Sequence, residues 1–347
     1  MSSRATIPDS SSPSVLLIRL DAIGDALALT PLLAAFRSAG IPVDLVLRSG
    51  NRDAFSDLAA RTRFIAPFAM RSMTAANKEA IRRFADGQVR SNGYTHVLVA
   101  TEDPGGYYLA RYLGARNRVG FVNGWGKPFK TLWLRTLLTR TLYRSAGLDP
   151  NAPHECEVLF QLGQDLIAES HATRDLSRLR PLILDRETER DGRVIFQVTD
   201  KWERLGIASS QVIDALRVAA RARPLRAISS SAEARYADKI EERAGIEVER
   251  FDDISSWKAA IGSAAALIGP DSGAIHMAGM TGTPTVAVFP PVALFERQIA
   301  RWAPWAAPYE IIKADESWPS RAVAAMKQLR FANVAVENDA AGPVDRN

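Results

Sequence analysis

Two short stretches near opposite ends of the chain hold carboxylates, glycines and small polar residues in spacings that can do chemistry. The first reads Val15-Leu-Leu-Ile-Arg-Leu-Asp-Ala-Ile-Gly-Asp-Ala-Leu-Ala-Leu-Thr-Pro. An apolar run, a glycine that permits a tight turn and a helical pattern predict a strand, a turn at Gly24 and a helix starting at Asp25. If the strand sits in a parallel sheet, Asp25 lands at the carboxyl edge, where ligands of such sheets bind. A carboxylate there can act as a general base, or it can simply cap the helix. Asp21, on the same loop, is a competing base.

The second stretch reads Leu267-Ile-Gly-Pro-Asp-Ser-Gly-Ala-Ile-His-Met-Ala-Gly-Met-Thr-Gly-Thr-Pro-Thr-Val-Ala-Val-Phe. It predicts a strand, a glycine-containing turn, a short helix closed by Gly282 and another strand. Backbone N–H groups of Ser272, Gly273 and Ala274 at the helix start suit an anion such as a diphosphate. The stretch matches neither a Walker loop nor a dinucleotide fingerprint, and a plain loop with His276 on the buried side of its helix is the other reading.

Taken together, Arg19 to Asp25 and Asp271 to Phe289 resemble the heptosyltransferases of glycosyltransferase family nine, with R-x-x-x-I-G-D near one end and D-[ST]-G-x-x-H-x-A-x-x-x-G-x-P-x-x-x-x-[FY] near the other. The resemblance spans most of the chain. It implies an α/β fold of GT-B type, two facing Rossmann-like domains with a cleft between them. The first domain would hold the acceptor and the second the nucleotide sugar. By matching position, Asp25 would be the general base, and Asp271, Ser272, Gly273 and His276 would surround the donor diphosphate and sugar. Phe196-Gln-Val-Thr-Asp-Lys-Trp resembles the segment that brings a hydroxyl and a lysine to the donor phosphates, giving those roles to Thr199 and Lys201. After Trp202 the chain reads Glu203-Arg-Leu-Gly-Ile where the family has a basic residue and a second Trp; Arg204 is the candidate replacement. Glu233 is the candidate ligand of the nucleotide ribose, or else a helix-start carboxylate.

Glycosyl transfer needs an activated acceptor hydroxyl, a stabilised leaving group and alignment without competing water. Asp25 would take the hydroxyl proton, while Lys201 and the loop N–H groups would meet the charge on the departing diphosphate, with inversion at the anomeric carbon. A helix start lowers the basicity of a carboxylate, which burial on domain closure could offset. The sequence has no Asp-x-Asp pair, four His and one Cys, so no dedicated metal site and no cofactor is expected beyond an ADP-linked sugar as donor substrate. The alternatives are a nucleotide-sugar epimerase-like enzyme of the same architecture and a nucleotide-sugar-binding homologue without turnover. A nicotinamide dehydrogenase is disfavoured, because Ile23-Gly-Asp lacks the three-glycine spacing.

The elements that must position these residues follow from the periodicity. Apolar runs Val15 to Leu20, Val43 to Leu47, His96 to Ala100, Arg193 to Val198, Ala264 to Ile268 and Thr285 to Phe289 alternate with helical patterns, which argues for parallel sheets. At 347 residues two domains are expected, 14–178 and 179–318. A connector, extended over Pro181 to Leu184, joins them, and a last helix over 319–332 crosses back to the first domain. The Ser- and Pro-rich 1–13 and the tail 333–347 read as disordered.

Apolar residues at 47% and charged residues at 24% are those of a soluble globular chain. The absence of a signal-peptide core or a membrane span points to the cytoplasm, and the resemblance implies a bacterium. The net charge of +5 calls for an anionic partner. Its most conspicuous source is Pro104 to Leu148, which lacks Asp and Glu, carries eight Arg and Lys, and interleaves them with aromatics. Lys127, Lys130 and Arg135 would face a phosphorylated, lipid-linked saccharide and the inner-membrane surface, with no nucleic acid involved; a solvated basic face with its aromatics in the core is the other reading.

Overall fold

The computed structural model describes residues 13–65, 73–145, 152–187, 189–292 and 295–339, with side chains as far as Leu329. Among the described residues twelve strands form two parallel sheets of six. The first contains β1 (Val15–Arg19), β2 (Val43–Arg48), β3 (Arg61–Ile65), β4 (His96–Val99), β5 (Asn117–Val122) and β6 (Arg140–Tyr143), in the order β3-β2-β1-β4-β5-β6. The second contains β7 (Val194–Gln197), β8 (Leu225–Ser230), β9 (Val248–Phe251), β10 (Ala266–Pro270), β11 (Thr285–Phe289) and β12 (Tyr309–Lys313), in the order β12-β11-β10-β7-β8-β9. Counted within each half, the order is the same doubly wound 3-2-1-4-5-6, whose switch point lies between the first and fourth strands. Val15 of β1 pairs with Val43 and with His96, and Ile268 of β10 pairs with Phe196 and Val286.

The central strands are buried on both faces: every residue of β1, β7, β10 and β11 is out of water. Each such Leu, Ile or Val contributes about 1.5–3 kcal/mol, and the pattern is a continuous apolar run because helices cover both sides. The described residues form three cores. One lies on the outer side of the first sheet around Leu16, Ile18 and Val97. Another lies on the outer side of the second around Phe196, Trp202 and Trp318. The third runs between the sheets and joins Leu17 and Phe36 of the first half to Ile261 and Met277 of the second.

The connecting segment builds much of that shared core. Leu179, Leu182, Ile183 and Leu184 are buried in it, and Pro181 to Leu184, expected to be extended, instead passes through a 3-10 turn at Arg180–Leu182. The turn packs its side chains inward where an extended linker would expose half of them. The last helix, Trp318–Asp339, packs Ala322, Val323, Met326 and Leu329 into the core of the second sheet and lies against the helix Ser209–Ala222. Over these side chains it covers the second domain and does not return to the first, because its apolar face finds its partners there. Its backbone helix continues through 333–339, while 1–12 and 340–347 lie outside the described residues. No helix among the described residues is long and apolar enough to cross a membrane.

Candidate functional site

β1 ends at Arg19, and after Leu20-Asp21-Ala22 the chain enters the short helix Ile23–Leu27. Ala22 is its N-cap, so Asp25 stands in the first turn without capping it. Gly24 also departs from expectation: it is helical and is absent from the left-handed glycines of the chain. Its requirement is space, since a Cβ on Gly24 would lie 2.7 Å from Cδ2 of His276. Gly273 answers from the other side, where a Cβ would lie 2.6 Å from Cγ2 of Ile23. Each glycine thus lets one motif touch the other, across the two halves of the chain.

The second motif forms as β10, the helix Gly273–Thr281 and β11, with Gly282 closing the helix at φ +77°. Ser272 is the N-cap, yet its hydroxyl caps nothing and Oγ is buried without a partner. The first-turn N–H groups therefore face the cleft together with an unsatisfied hydroxyl, the donor set that an anion would complete. His276 Nε2 lies 3.9 Å from Asp271 Oδ1, and the imidazole is edge-on to Trp302. Burial pushes the His276 pKa down to about 3, helped by the Lys201 charge, so the ring is neutral. Burial raises Asp271, against the pull of Lys201.

Lys201 opens a short helix whose Trp202 is buried between Phe196 and Trp318 and donates its indole N–H to Gln197 O at 2.9 Å. That anchor fixes the register of Thr199 and Lys201 above β7. Thr199 Oγ1 donates to Glu233 Oε1 at 2.7 Å and accepts from Lys201 N at 3.2 Å. Glu233 is pushed up to about 7 by burial and by the hydrogen bond it shares with Asp200, while Asp200 is lowered by the same bond. Arg204 approaches Glu233 at 3.8 Å and is tied to Asp200.

A cavity of about 510 Å³ is lined by Asp25, Thr199, Lys201, Arg204, Glu233, Asp271, Ser272, Gly273, His276 and Trp302. The eight residues picked from the sequence as base and donor ligands meet around one space. A second lobe of about 480 Å³ shares Thr199, Glu233, Ser272 and Gly273 and extends past Gln197, Phe251, Asp252 and Trp257. Asp21 lines neither lobe and pairs with Arg19 Nε at 3.2 Å.

The architecture is matched by solved structures. A glycosyl transferase family 9 protein from Veillonella parvula superposes with a TM-score of 0.68 at 13% identity, covering 92% of this chain and 97% of that one. E. coli heptosyltransferase WaaC with ADP-2-deoxy-2-fluoro heptose gives 0.65 at 17% identity, over 92% and 99%. The fold is GT-B. A UDP-N-acetylglucosamine 2-epimerase from Listeria monocytogenes, described as putative, follows at 0.51 and 13% identity, over 94% of this chain and 89% of that one. No family model matches the sequence, and no curated protein does.

Behind the GT-B cleft lies a charge cluster that the sequence did not bring forward. Glu155 is fully buried and accepts from three arginines: Arg144 at 2.7 and 2.9 Å, Arg301 at 3.0 and 3.1 Å, and Arg19 at 3.4 Å. Arg144 and Arg19 belong to the first sheet's carboxyl edge, whereas Arg301 lies on the helix Phe295–Trp302 of the second half. Arg19 also donates to the Ala100 carbonyl and reaches Asp25 at 3.3 Å. Burial raises the Asp25 pKa and Arg19 pulls it back, with burial the larger effect. Burial that the sequence reserved for domain closure is thus already present in this arrangement.

The basic stretch is only partly free. Glu102, just outside the acid-free run, takes Lys130 at 3.2 Å, Lys127 at 3.5 Å and Arg144 at 3.4 Å; burial raises its carboxyl pKa, but the cations together outweigh burial and bring it down to about 2. Arg140 pairs with Asp165, while Arg135 is exposed. None of Lys127, Lys130 and Arg135 lines the cavity. The aromatics divide: Tyr107 and Phe121 are in the core, but Trp125 and Phe129 are 95% and 88% exposed.

Proposed function

We propose that this chain is an inverting glycosyltransferase of family nine, moving a heptose or similar sugar from an ADP-linked donor to a phosphorylated, lipid-linked saccharide such as a lipopolysaccharide core. The observation that carries the reading is the meeting of Asp25 with Thr199, Lys201, Glu233, Asp271, Ser272, Gly273 and His276 around one cavity, at the contact between two motifs from opposite ends of the chain. The bacterial setting and action from the cytoplasmic side belong to the same proposal.

The donor diphosphate sits at the start of the helix Gly273–Thr281, where uncapped N–H groups, Ser272 Oγ and the Lys201 ammonium supply donors and positive charge. Its nucleoside occupies the lobe beside Trp257 and Phe251, with Glu233 at the junction for the ribose hydroxyls. Neutral His276 offers a hydrogen bond without adding charge. As the acceptor oxygen bonds to the anomeric carbon, its proton passes to Asp25. The bond from that carbon to the diphosphate oxygen breaks on the opposite face and takes its electron pair to the leaving group. The raised pKa of Asp25 makes it a better proton acceptor than an ordinary surface aspartate.

A thermal-shift panel with ADP, UDP and GDP, followed by calorimetry on Lys201→Ala, tests the nucleotide assignment. ADP should raise the Tm most and lose affinity in the variant. Equal shifts from all three, or unchanged ADP affinity without Lys201, would overturn it. Incubation of the ADP-sugar without acceptor separates the rival: clean interconversion of the sugar at one carbon would mark an epimerase.

A further inference from the structure

The helix Pro128–Leu137 follows β5 through the turn Gly124–Gly126. In a parallel sheet every strand ends at the same edge, so this turn and the helix start share the edge that carries Asp25. The helix buries Thr131 and Leu134 against the domain. Opposite them, Phe129, Leu132 and Trp133 stand at i, i+3 and i+4 and form one face. Phe129 is 88% and Leu132 67% exposed, and Trp125 in the preceding turn is 95% exposed. Tyr143, also exposed, lies against that turn at Gly124.

Single exposed apolar residues are ordinary, but a contiguous apolar face rimmed by polar residues marks an interaction site. Their surroundings select the occupant. Residues 104–148 contain no carboxylate side chain, and Lys127 and exposed Arg135 flank the apolar face. Trp, Phe and Leu on one side of a helix with cations beside them is the composition of an interfacial membrane helix. A second copy of this chain would bring the same cations against themselves, whereas an anionic lipid surface neutralises them.

We propose that the turn Gly124–Gly126 and the first two turns of the helix Pro128–Leu137 insert into the interface of an anionic bilayer, holding the cleft mouth at the membrane. Lys127 and Lys130 connect this helix to the site through Glu102, Arg144, Glu155 and Arg19, ending at Asp25. That chain of ion pairs keeps the inserted helix and the cavity in a fixed relation. The consequence for transfer, presentation of a lipid-anchored acceptor to Asp25, rests on the proposed reaction; membrane binding itself does not.

Co-sedimentation of the full chain with vesicles of phosphatidylcholine alone, or mixed with phosphatidylglycerol, tests it without donor or acceptor. Wild type should bind the anionic vesicles. Trp125→Ala/Phe129→Ala/Leu132→Ala should lower the partition coefficient by about tenfold or more at any salt. Lys127→Glu/Arg135→Glu should lower it mainly at low salt. Trp125→Ser alone, at a side chain almost wholly in solvent, guards against a triple variant that fails to fold, and should give a smaller loss in the same direction. Absence of wild-type binding, or equal binding by wild type and the apolar variants, overturns the proposal. So does a wild-type dimer that the apolar variants convert to monomer with no vesicle binding. Vesicle binding by a protein that transfers no sugar would sink the reaction and leave the surface standing.

Discussion

Asp25 and Asp21 are both half-buried carboxylates near Arg19, and direction separates them. Asp25 faces the cavity, and burial lifts its pKa above the ordinary aspartate value against the pull of Arg19. Asp21 turns to Arg19 Nε and lines neither lobe. Asp25→Asn should therefore leave ADP affinity unchanged and lower kcat by roughly a hundredfold to ten-thousandfold, while Asp21→Asn keeps most of the activity. Full turnover in Asp25→Asn with loss in Asp21→Asn would reverse the assignment. Because the pKa is raised, the acid limb of kcat for wild type should lie above that of an ordinary aspartate: activity appears as pH rises through the folded value and is lost below it. Asp25 was legible from its place after Ile23-Gly24. Arg19 was legible only as part of a motif, because nothing in sequence signals that a strand-end arginine will be buried against a glutamate 136 positions on.

At the scale of elements, what the sequence disclosed tracks burial. The six apolar runs correspond to β1, β2, β4, β7, β10 and β11, three of the four inner strands of each sheet. The outer strands escaped notice because one face or one side meets water and their residues are mixed: β3 is RTRFI, β6 RTLY, β9 VERF and β12 YEIIK. Glycines at the site were legible as glycines but misread in purpose, a turn being the usual demand and close approach being the actual one at Gly24. That distinction gives a test. Gly273→Ala puts a Cβ 2.6 Å from Cγ2 of Ile23, so the two motifs must separate, and nucleotide affinity should fall with a lower Tm. Ile23→Ala removes the clashing atom, and the double variant should recover part of both. If Gly273→Ala alone binds ADP as wild type does, the contact between the motifs is not what shapes the cavity.

The molecule as a whole is held closed by the segment between the sheets, and its pH response should follow from that. Glu155 neutralises arginines from both halves, an arrangement that is costly to break once buried. Next to it, His154 accepts from Cys156 N through Nδ1 at 3.1 Å and meets Ala303 O through Nε2 at 2.9 Å, crossing between the halves as a neutral ring. Burial pushes His154 down to about 4, as it pushes His276 to about 3. For a base with a depressed folded pKa, the unfolded chain takes the proton first, near the unfolded value of 6.5. Stability is therefore complete above 6.5 and lost progressively as pH falls towards the folded values. Glu233 works the other way: its folded value of about 7 exceeds 4.5, so acidification through that window favours the folded state. His96, also lowered by burial, joins His154 and His276, so between 6.5 and 4.5 the imidazoles outweigh Glu233 and acidification favours unfolding. The Tm should fall as pH drops through that range. His154→Asn, which keeps a side-chain oxygen for the helix cap, should flatten the fall, and Glu233→Gln should steepen it. Parallel Tm curves for wild type and His154→Asn would mean that the contact of His154 with Ala303 does not govern how the two halves respond to acid.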